Sequence, residues 1–530
     1  MKKLFNSILL LMALVMAGCE SIEDTYKDYA GDGPIEYLNK IYDLKATAQW
    51  QAIKLSWNLK LDPGRTGIMV KWSNESYSDS TIIDKDASDF TVPLTDNSEY
   101  TLNVWAIRQE NGVITKKSLG DPVYARPYTK ESDEFALFTH VVTKQIKVAD
   151  KKLFVLFDTW ADDLYSFKIG YYEKGSSEQK FKEYTTNDKQ AGSDGNMYPS
   201  GKPYAVIGEN VDFGKPVTVV RKGDFSKLGI EGEFELDPLQ LYFDLPNFNT
   251  DFAVYLRPQL GVSSGDITFS QLSALSSLDV DYKQSSLEDV LNCPNLKTLY
   301  LGRNRYLLPG TENTAKDAFP SAIGKEISLA ALKLAHDEMG VEIYQYGLNY
   351  FDENPGFFDG WNLEAKLPTL NLLNTDGWDI TENPMPSVGE VTGLENLLNA
   401  DASKIWFPLG AKQLREHVIE VDMKQSQTVT GFKLVQANLS DGNLQLPGIV
   451  KVEYWNDASV GWTTATFYDD TTIGTGRGET TLIYFDKDHN PKTFQKYRIT
   501  VSDNFYSRQW ENNVQVSYYR TALACFMPFN

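Results

Sequence analysis

The chain has 530 residues, more than one hydrophobic core organises, so it divides into about three to four domains of ordinary size. Hydrophobic residues make up 42% and aromatic residues 13%, which excludes a disordered chain, and a formal net charge of −21 argues against a nucleic-acid partner. Three cysteines and four dispersed histidines (His140, His336, His417 and His489) exclude a disulfide framework and zinc-type spacing.

Lys2 and Lys3 precede an apolar stretch, Leu4 to Ala17, shorter than the roughly 20 residues of a spanning helix, and Met16-Ala17-Gly18-Cys19 ends it in small residues and a cysteine. This start resembles a bacterial lipoprotein signal, with Met16 where the family more often has Leu. The resemblance implies that residues 1–18 are removed and that Cys19 becomes the lipidated N-terminus. The alternative is an ordinary secretory signal. Glu20-Ser21-Ile22-Glu23-Asp24 resembles the export tag of Gram-negative lipoproteins displayed outside the cell. That implies an outer-membrane, lipid-anchored protein facing the exterior, with residues 19–40 as a tether.

From 41 to 129 the chain alternates polar and apolar residues with period two, as in Ala52-Ile53-Lys54-Leu55-Ser56-Trp57 and Tyr100-Thr101-Leu102-Asn103-Val104-Trp105, which predicts a small antiparallel sandwich. Leu55-Ser56-Trp57 and Tyr100-Thr101-Leu102 resemble the core Trp and Tyr strands of fibronectin type III domains. Trp50 and Trp72 are either a sugar platform or packing aromatics. A second sandwich is predicted over 130–260 from strands such as Lys152-Leu153-Phe154-Val155-Leu156-Phe157. Gly192-Ser193-Asp194-Gly195-Asn196 within it reads as a calcium loop or a surface turn.

Residues 261–355 differ. Leu275-x-x-Leu278-x-Val280, Leu296-x-x-Leu299-x-Leu301-x-x-Asn304 and Val341-x-x-Tyr344-x-Tyr346-x-x-Asn349 share one template, which resembles leucine-rich repeats, the last gap being about two repeats long. A plain α/β connector is the alternative.

Residues 365–530 hold Gly377-Trp378-Asp379-Ile380-Thr381, then Glu395-Asn396-Leu397-Leu398 leading to Ile405-Trp406, then His417-Val418-Ile419-Glu420-Val421, Val429-Thr430-Gly431-Phe432 and Lys496-Tyr497-Arg498-Ile499. These ordered blocks resemble a discoidin (coagulation factor type C) domain. The resemblance implies a galactose-binding-like jelly roll whose end loops bind glycans, with Trp378, Trp406 and Trp462 on core positions and His417 structural. It also implies a structural calcium at Asp401 and Ser403, although Cys525 stands where the family often has an acidic ligand. No other cofactor is implied. Sugar recognition needs an aromatic face and polar partners, and the loop around Tyr506, Arg508 and Trp510 supplies both, with Trp455 as a second exposed aromatic. The alternative for Trp510 is packing.

The expected fold class is mainly β and multidomain: a fibronectin-like sandwich, a second β-sandwich, a short repeat-like α/β insert and a C-terminal jelly roll. The chain shows no His-Glu-x-x-His helix or phosphate-binding Gly loop, so a non-enzyme is expected. These readings point to a surface lipoprotein similar to the accessory proteins of polysaccharide-utilisation systems, binding galactose- or N-acetylhexosamine-containing glycans. The competing reading is an adhesion or assembly factor with a protein partner on the surface.

Overall fold

A computed structural model describes residues 37–530 except 263, 282–283, 308–320, 347–360, 365–368, 439–445, 466–476 and 487. The signal stretch, Cys19, most of the tether and Asn349 lie outside the described residues. The chain forms two compact units, one of residues up to Phe138 together with Gly223–Phe234, the other of Thr139–Lys222 and Glu235–Asn530. No helix among the described residues is long and apolar enough to cross a membrane.

The first unit is an antiparallel sandwich. Tyr42–Gln49, Ala52–Asn58 and Asp89–Pro93 make one sheet, and Ser78–Ile83, Gly67–Ser73, Tyr100–Glu110 and Val113–Lys117 the other, with Val123–Ala125 also on Tyr100–Glu110. Alternation sends Ile53, Leu55 and Trp57 inward against Val70, Leu102 and Val104. Full burial of side chains this size is worth about 1.5–3 kcal/mol each, which fixes the register. The Trp57 indole N–H donates to the Ala87 carbonyl at 2.9 Å, and the Tyr100 hydroxyl donates to Asp96 Oδ2 at 2.6 Å. Burial and the Asp96 carboxylate push the Tyr100 phenol up to about 12. Trp72 is buried, and Trp50 packs against Phe135 and Phe234 at ring-centroid distances of 5.2 and 5.0 Å, so both are packing aromatics.

In the second unit, Tyr204–Ile207, Lys152–Phe157 and Val142–Val148 form one sheet, while Gln179–Thr185, Leu164–Tyr172 and Val217–Asp224, extended by Leu239–Leu241, form another. The strand order repeats that of the first sandwich. Phe157 of one sheet meets Phe167 and Tyr184 of the other at 5.6 and 5.5 Å. Asp194 in the Gly192–Asn196 loop accepts from the Asn196 amide N–H and the Tyr198 hydroxyl, both at 3.0 Å, the bonding of a surface turn.

The repeat template becomes a parallel sheet, Ser277–Val280, Thr298–Leu301, Glu342–Tyr346 and Trp361–Glu364, in which Leu278, Leu299 and Ile343 stand side by side and inward. The third strand is one residue out of the expected alignment, since Ile343 and not Tyr344 pairs with Leu299. The gap expected to hold about two repeats contains something else. Strand Arg305–Leu307 leaves the parallel sheet, and helix Ala322–Met339 fills the return. The helix has Ser321 as its cap, accepting from the Gly324 N–H at 3.0 Å, buries Ile327, Ala331, Leu334 and Ala335 at helical spacing, and ends at Gly340 with φ 71°. Helix Thr250–Leu260, inside the stretch expected to be sandwich, contributes Phe252 and Leu256 to this same core. Lys144 of the second sandwich enters that core and meets Glu288 and Asp289 at 2.9 and 2.6 Å, all three buried.

The C-terminal module is a two-sheet jelly roll. Asp379–Asn383, Glu416–Val429, Lys492–Ser502, Val450–Asn456 and Gly461–Thr464 form one sheet, and Glu479–Tyr484, Gly431–Gln436 and Leu523–Phe529 the other. Strand Arg305–Leu307 adds an edge to the second sheet by pairing antiparallel with Glu479–Tyr484. Trp406, Phe432, Tyr497 and Phe526 fill the space between. Trp462, expected in that core, is instead half-buried in a surface hairpin beneath the Arg498 guanidinium, 4.3 Å from its ring. The protein is therefore mainly β and multidomain, with two sandwiches, a parallel repeat sheet with a helix, and a jelly roll.

Candidate functional site

After Ser502 the chain leaves the five-stranded sheet. Asn504–Glu511 and Val514–Arg520 form a two-stranded sheet of their own, turning at Asn512 and Asn513 with φ 49° and 64°. Two left-handed residues in succession give the hairpin turn whose twist matches its strands, and Asn tolerates that conformation better than most residues. Ala411 clasps the root of this hairpin through paired backbone bonds with Tyr519 at 2.9 and 2.8 Å.

Beneath the root lies a buried ionic network. His417 Nδ1 and Nε2 stand 3.0 and 3.1 Å from Glu382 and Asp503, the Trp406 indole donates to Glu382 at 3.0 Å, and Arg415 donates to Asp503 at 2.8 Å. Burial opposes a charged imidazole here, but hydrogen bonds to Asp503 and Glu382 carry the His417 pKa above its ordinary value. Burial likewise opposes the Asp503 charge, while His417 and Arg415 hold its carboxyl below the usual range. Both His417 ring nitrogens stand against carboxylates, so its imidazolium form donates to Glu382 and Asp503 at once. That contact ties the ring to Asp503, the residue from which the hairpin springs.

The register of the hairpin shifts between Phe505 and Ser507, which makes Tyr506 the extra residue of a bulge. Tyr506 consequently turns to Tyr518 and Arg520, at 6.3 and 5.4 Å, and its hydroxyl accepts from Gln509 at 3.3 Å. Arg508 lies 5.7 Å from the ring of Phe505. Trp510, two residues along the strand from Arg508, shares that face. Trp510 is 74% exposed and Phe505 45%. The hairpin thus brings Arg508 and Trp510 together, removes Tyr506 from them and adds Phe505. A one-residue bulge leaves no mark in the alternation, so Phe505 was not legible as a partner.

Trp455 does not join this face. It packs edge-on against Trp462 at 5.5 Å. Strand pairing sets Val450 opposite Val501 next to the hairpin root, so Trp455 lies five residues farther along, about 17 Å away.

Asp401 Oδ1 accepts from the Ser403 amide at 3.1 Å and its hydroxyl at 2.6 Å, closing a turn. Cys525 is buried, packs in one cluster with Ala402 of that turn, and burial pushes its thiol up to about 11. A neutral sulfur is a poor ligand for a hard cation, so one carboxylate and one engaged hydroxyl do not fit calcium. Calcium is expected to leave the melting temperature of the full chain unchanged in a thermal scan; a rise with added calcium would contradict this.

Residues 19–201 match a family model described as a domain of unknown function, DUF4998. No curated protein matches the chain. Among solved structures it is similar to a two fibronectin type III domain segment from chicken tenascin, at 12% identity and a TM-score of 0.18, covering 38% of this chain and 98% of that one. It is similar to a chitosan-binding module from a chitosanase/glucanase of Paenibacillus sp., at 17% identity and a TM-score of 0.21, covering 31% and 100%. A family 32 CBM from C. perfringens NanJ, solved in complex with galactose, is similar at 10% identity and a TM-score of 0.21, also covering 31% and 100%.

Proposed function

We propose that this protein is a non-catalytic, lipid-anchored surface protein that captures glycans for a polysaccharide-utilisation system through the tip of its C-terminal jelly roll. The observation that carries the reading is the hairpin, with Trp510 largely exposed on the same face as Phe505 and Arg508. A folded chain gains nothing from leaving an indole in water. On a sugar, that ring covers the apolar face of a pyranose while the guanidinium donates to hydroxyls. The site is shallow, so affinities of roughly −4 to −6 kcal/mol are expected.

The test is titration of the full chain with galactose- and N-acetylhexosamine-containing oligosaccharides. Trp510→Ala should weaken binding by about 1–3 kcal/mol and leave the melt unchanged, because most of the side chain already lies in water. A lower melt makes Trp510 a packing residue. If no glycan binds and the chain instead captures a protein of the cell surface, the adhesion reading replaces this one. Anchoring is tested separately: Cys19→Ala should move the protein out of the membrane fraction and abolish its display on intact cells, and an unchanged distribution would refute the anchor.

A further inference from the structure

The outer face of the first sandwich carries a second arrangement. Lys71 and Met69 of strand Gly67–Ser73 pair across the sheet with Asn103 and Trp105 of strand Tyr100–Glu110, and all four point away from the core. Lys117, from the next strand, sets its ammonium 3.1 Å from the centroid of the Trp105 ring. Gly120 backs the indole so closely that a Cβ there would lie 2.7 Å from it, so the ring is held in place.

The charges are the unusual part. Acidic residues outnumber basic ones 72 to 51, yet neither Lys71 nor Lys117 has a carboxylate partner among the described residues. Burial, and then the nearby Lys71, holds the Lys117 ammonium below its ordinary pKa. Two cations near each other with no counter-charge repel, and an anion placed between them relieves that repulsion. Adjacent strands lie about 4.8 Å apart and alternate residues about 7 Å, so the four outward side chains span about one pyranose ring.

We propose that this face binds a carboxylate-bearing sugar of the hexuronate class, with Lys71 and Lys117 on the carboxylate, Trp105 beneath the ring and the Asn103 amide on a hydroxyl. Lys117 exchanges its contact with the indole for an ion pair, and the sugar takes the uncovered ring face. The overall negative charge does not forbid this, because at physiological salt it is screened beyond about 8 Å while the lysines touch the ligand. The site is independent of the Trp510 hairpin.

The experiment is calorimetric titration of the full chain with trigalacturonate and with its fully methyl-esterified form. The acid should bind at least about tenfold more tightly than the ester, consistent with one or two charge-assisted bonds, and should weaken as salt is raised. Lys71→Gln with Lys117→Gln should abolish the difference, and Trp510→Ala should not affect it. Lys71→Gln alone removes no ring contact and should still weaken the acid several-fold, which separates ligand loss from misfolding. Equal affinity for acid and ester, no saturable binding of trigalacturonate, or binding that survives the double variant would each overturn the proposal. So would capture of a surface protein that competes for the same lysines while trigalacturonate fails to bind.

Discussion

Replacing Arg305 with methionine is expected to destabilise the second unit by about 3–5 kcal/mol, the cost of breaking a buried ion pair from one side. Arg305 Nε donates to Glu479 Oε1 at 2.9 Å and its Nη1 to the Tyr255 hydroxyl at 3.2 Å, and neither charge reaches water. Burial alone would lower the guanidinium pKa, yet Glu479 holds it above its ordinary value. In the variant Glu479 stays buried and loses the Arg305 guanidinium, on a strand that Arg305–Leu307 also covers by backbone pairing. Denaturant unfolding followed by circular dichroism measures the loss. The double variant Arg305→Met, Glu479→Met should recover most of it, because removing both charges removes the buried charge that lost its guanidinium. If the double is as unstable as the single, packing and not charge explains the effect. The same pairing means that a fragment beginning near residue 365 loses an edge strand and the partner of Glu479, and should fold worse than the full chain.

Lys144→Met should cost a similar 3–5 kcal/mol, since it strands Glu288, which is fully buried, beside Asp289. This cluster also makes stability depend on pH. Burial pushes the Asp289 carboxyl up to about 7, with Lys144 pulling it down and Glu288 raising it. An unfolded aspartate titrates near 3.9, so between about 4 and 7 the unfolded chain has released a proton that the folded chain keeps. The stabilisation from this group is therefore complete below about 4 and is lost as pH rises to about 7. Asp281, also pushed to about 7, acts in the same direction. Asp289→Asn should flatten part of the fall in unfolding free energy measured between those limits. A slope identical to that of the unaltered chain would show that Asp289 is ionised when folded.

Much of the architecture was legible because burial leaves a period. Ile53, Leu55 and Trp57 announce a strand with one wet face, and Leu278 and Leu299 place two strands of a parallel sheet in register. Helix Ala322–Met339 had its signals too, a serine cap, a glycine end and apolar residues at helical spacing, but the repeat template lays claim to the same stretch. The pairing of Arg305 with a glutamate 174 residues later has no local trace, because a strand of three residues is specified by what it meets. The binding face was legible only in part for a related reason. Trp510 and Arg508 stand together because the hairpin alternates, whereas Tyr506 departs because one bulged residue reverses every side chain behind it.

The aromatic pad on Trp50 has a history in time as well as a place in space. Phe225 and Phe234, which complete it with Phe135, belong to a stretch synthesised about a hundred residues after Val123–Ala125, the last strand of the first sandwich. At about 5–20 residues per second the ribosome needs roughly 5 to 20 seconds to deliver them. Through that interval Trp50 and Phe135 have only each other and lack these two rings, so the aromatic pad is completed only after most of the second sandwich has been made.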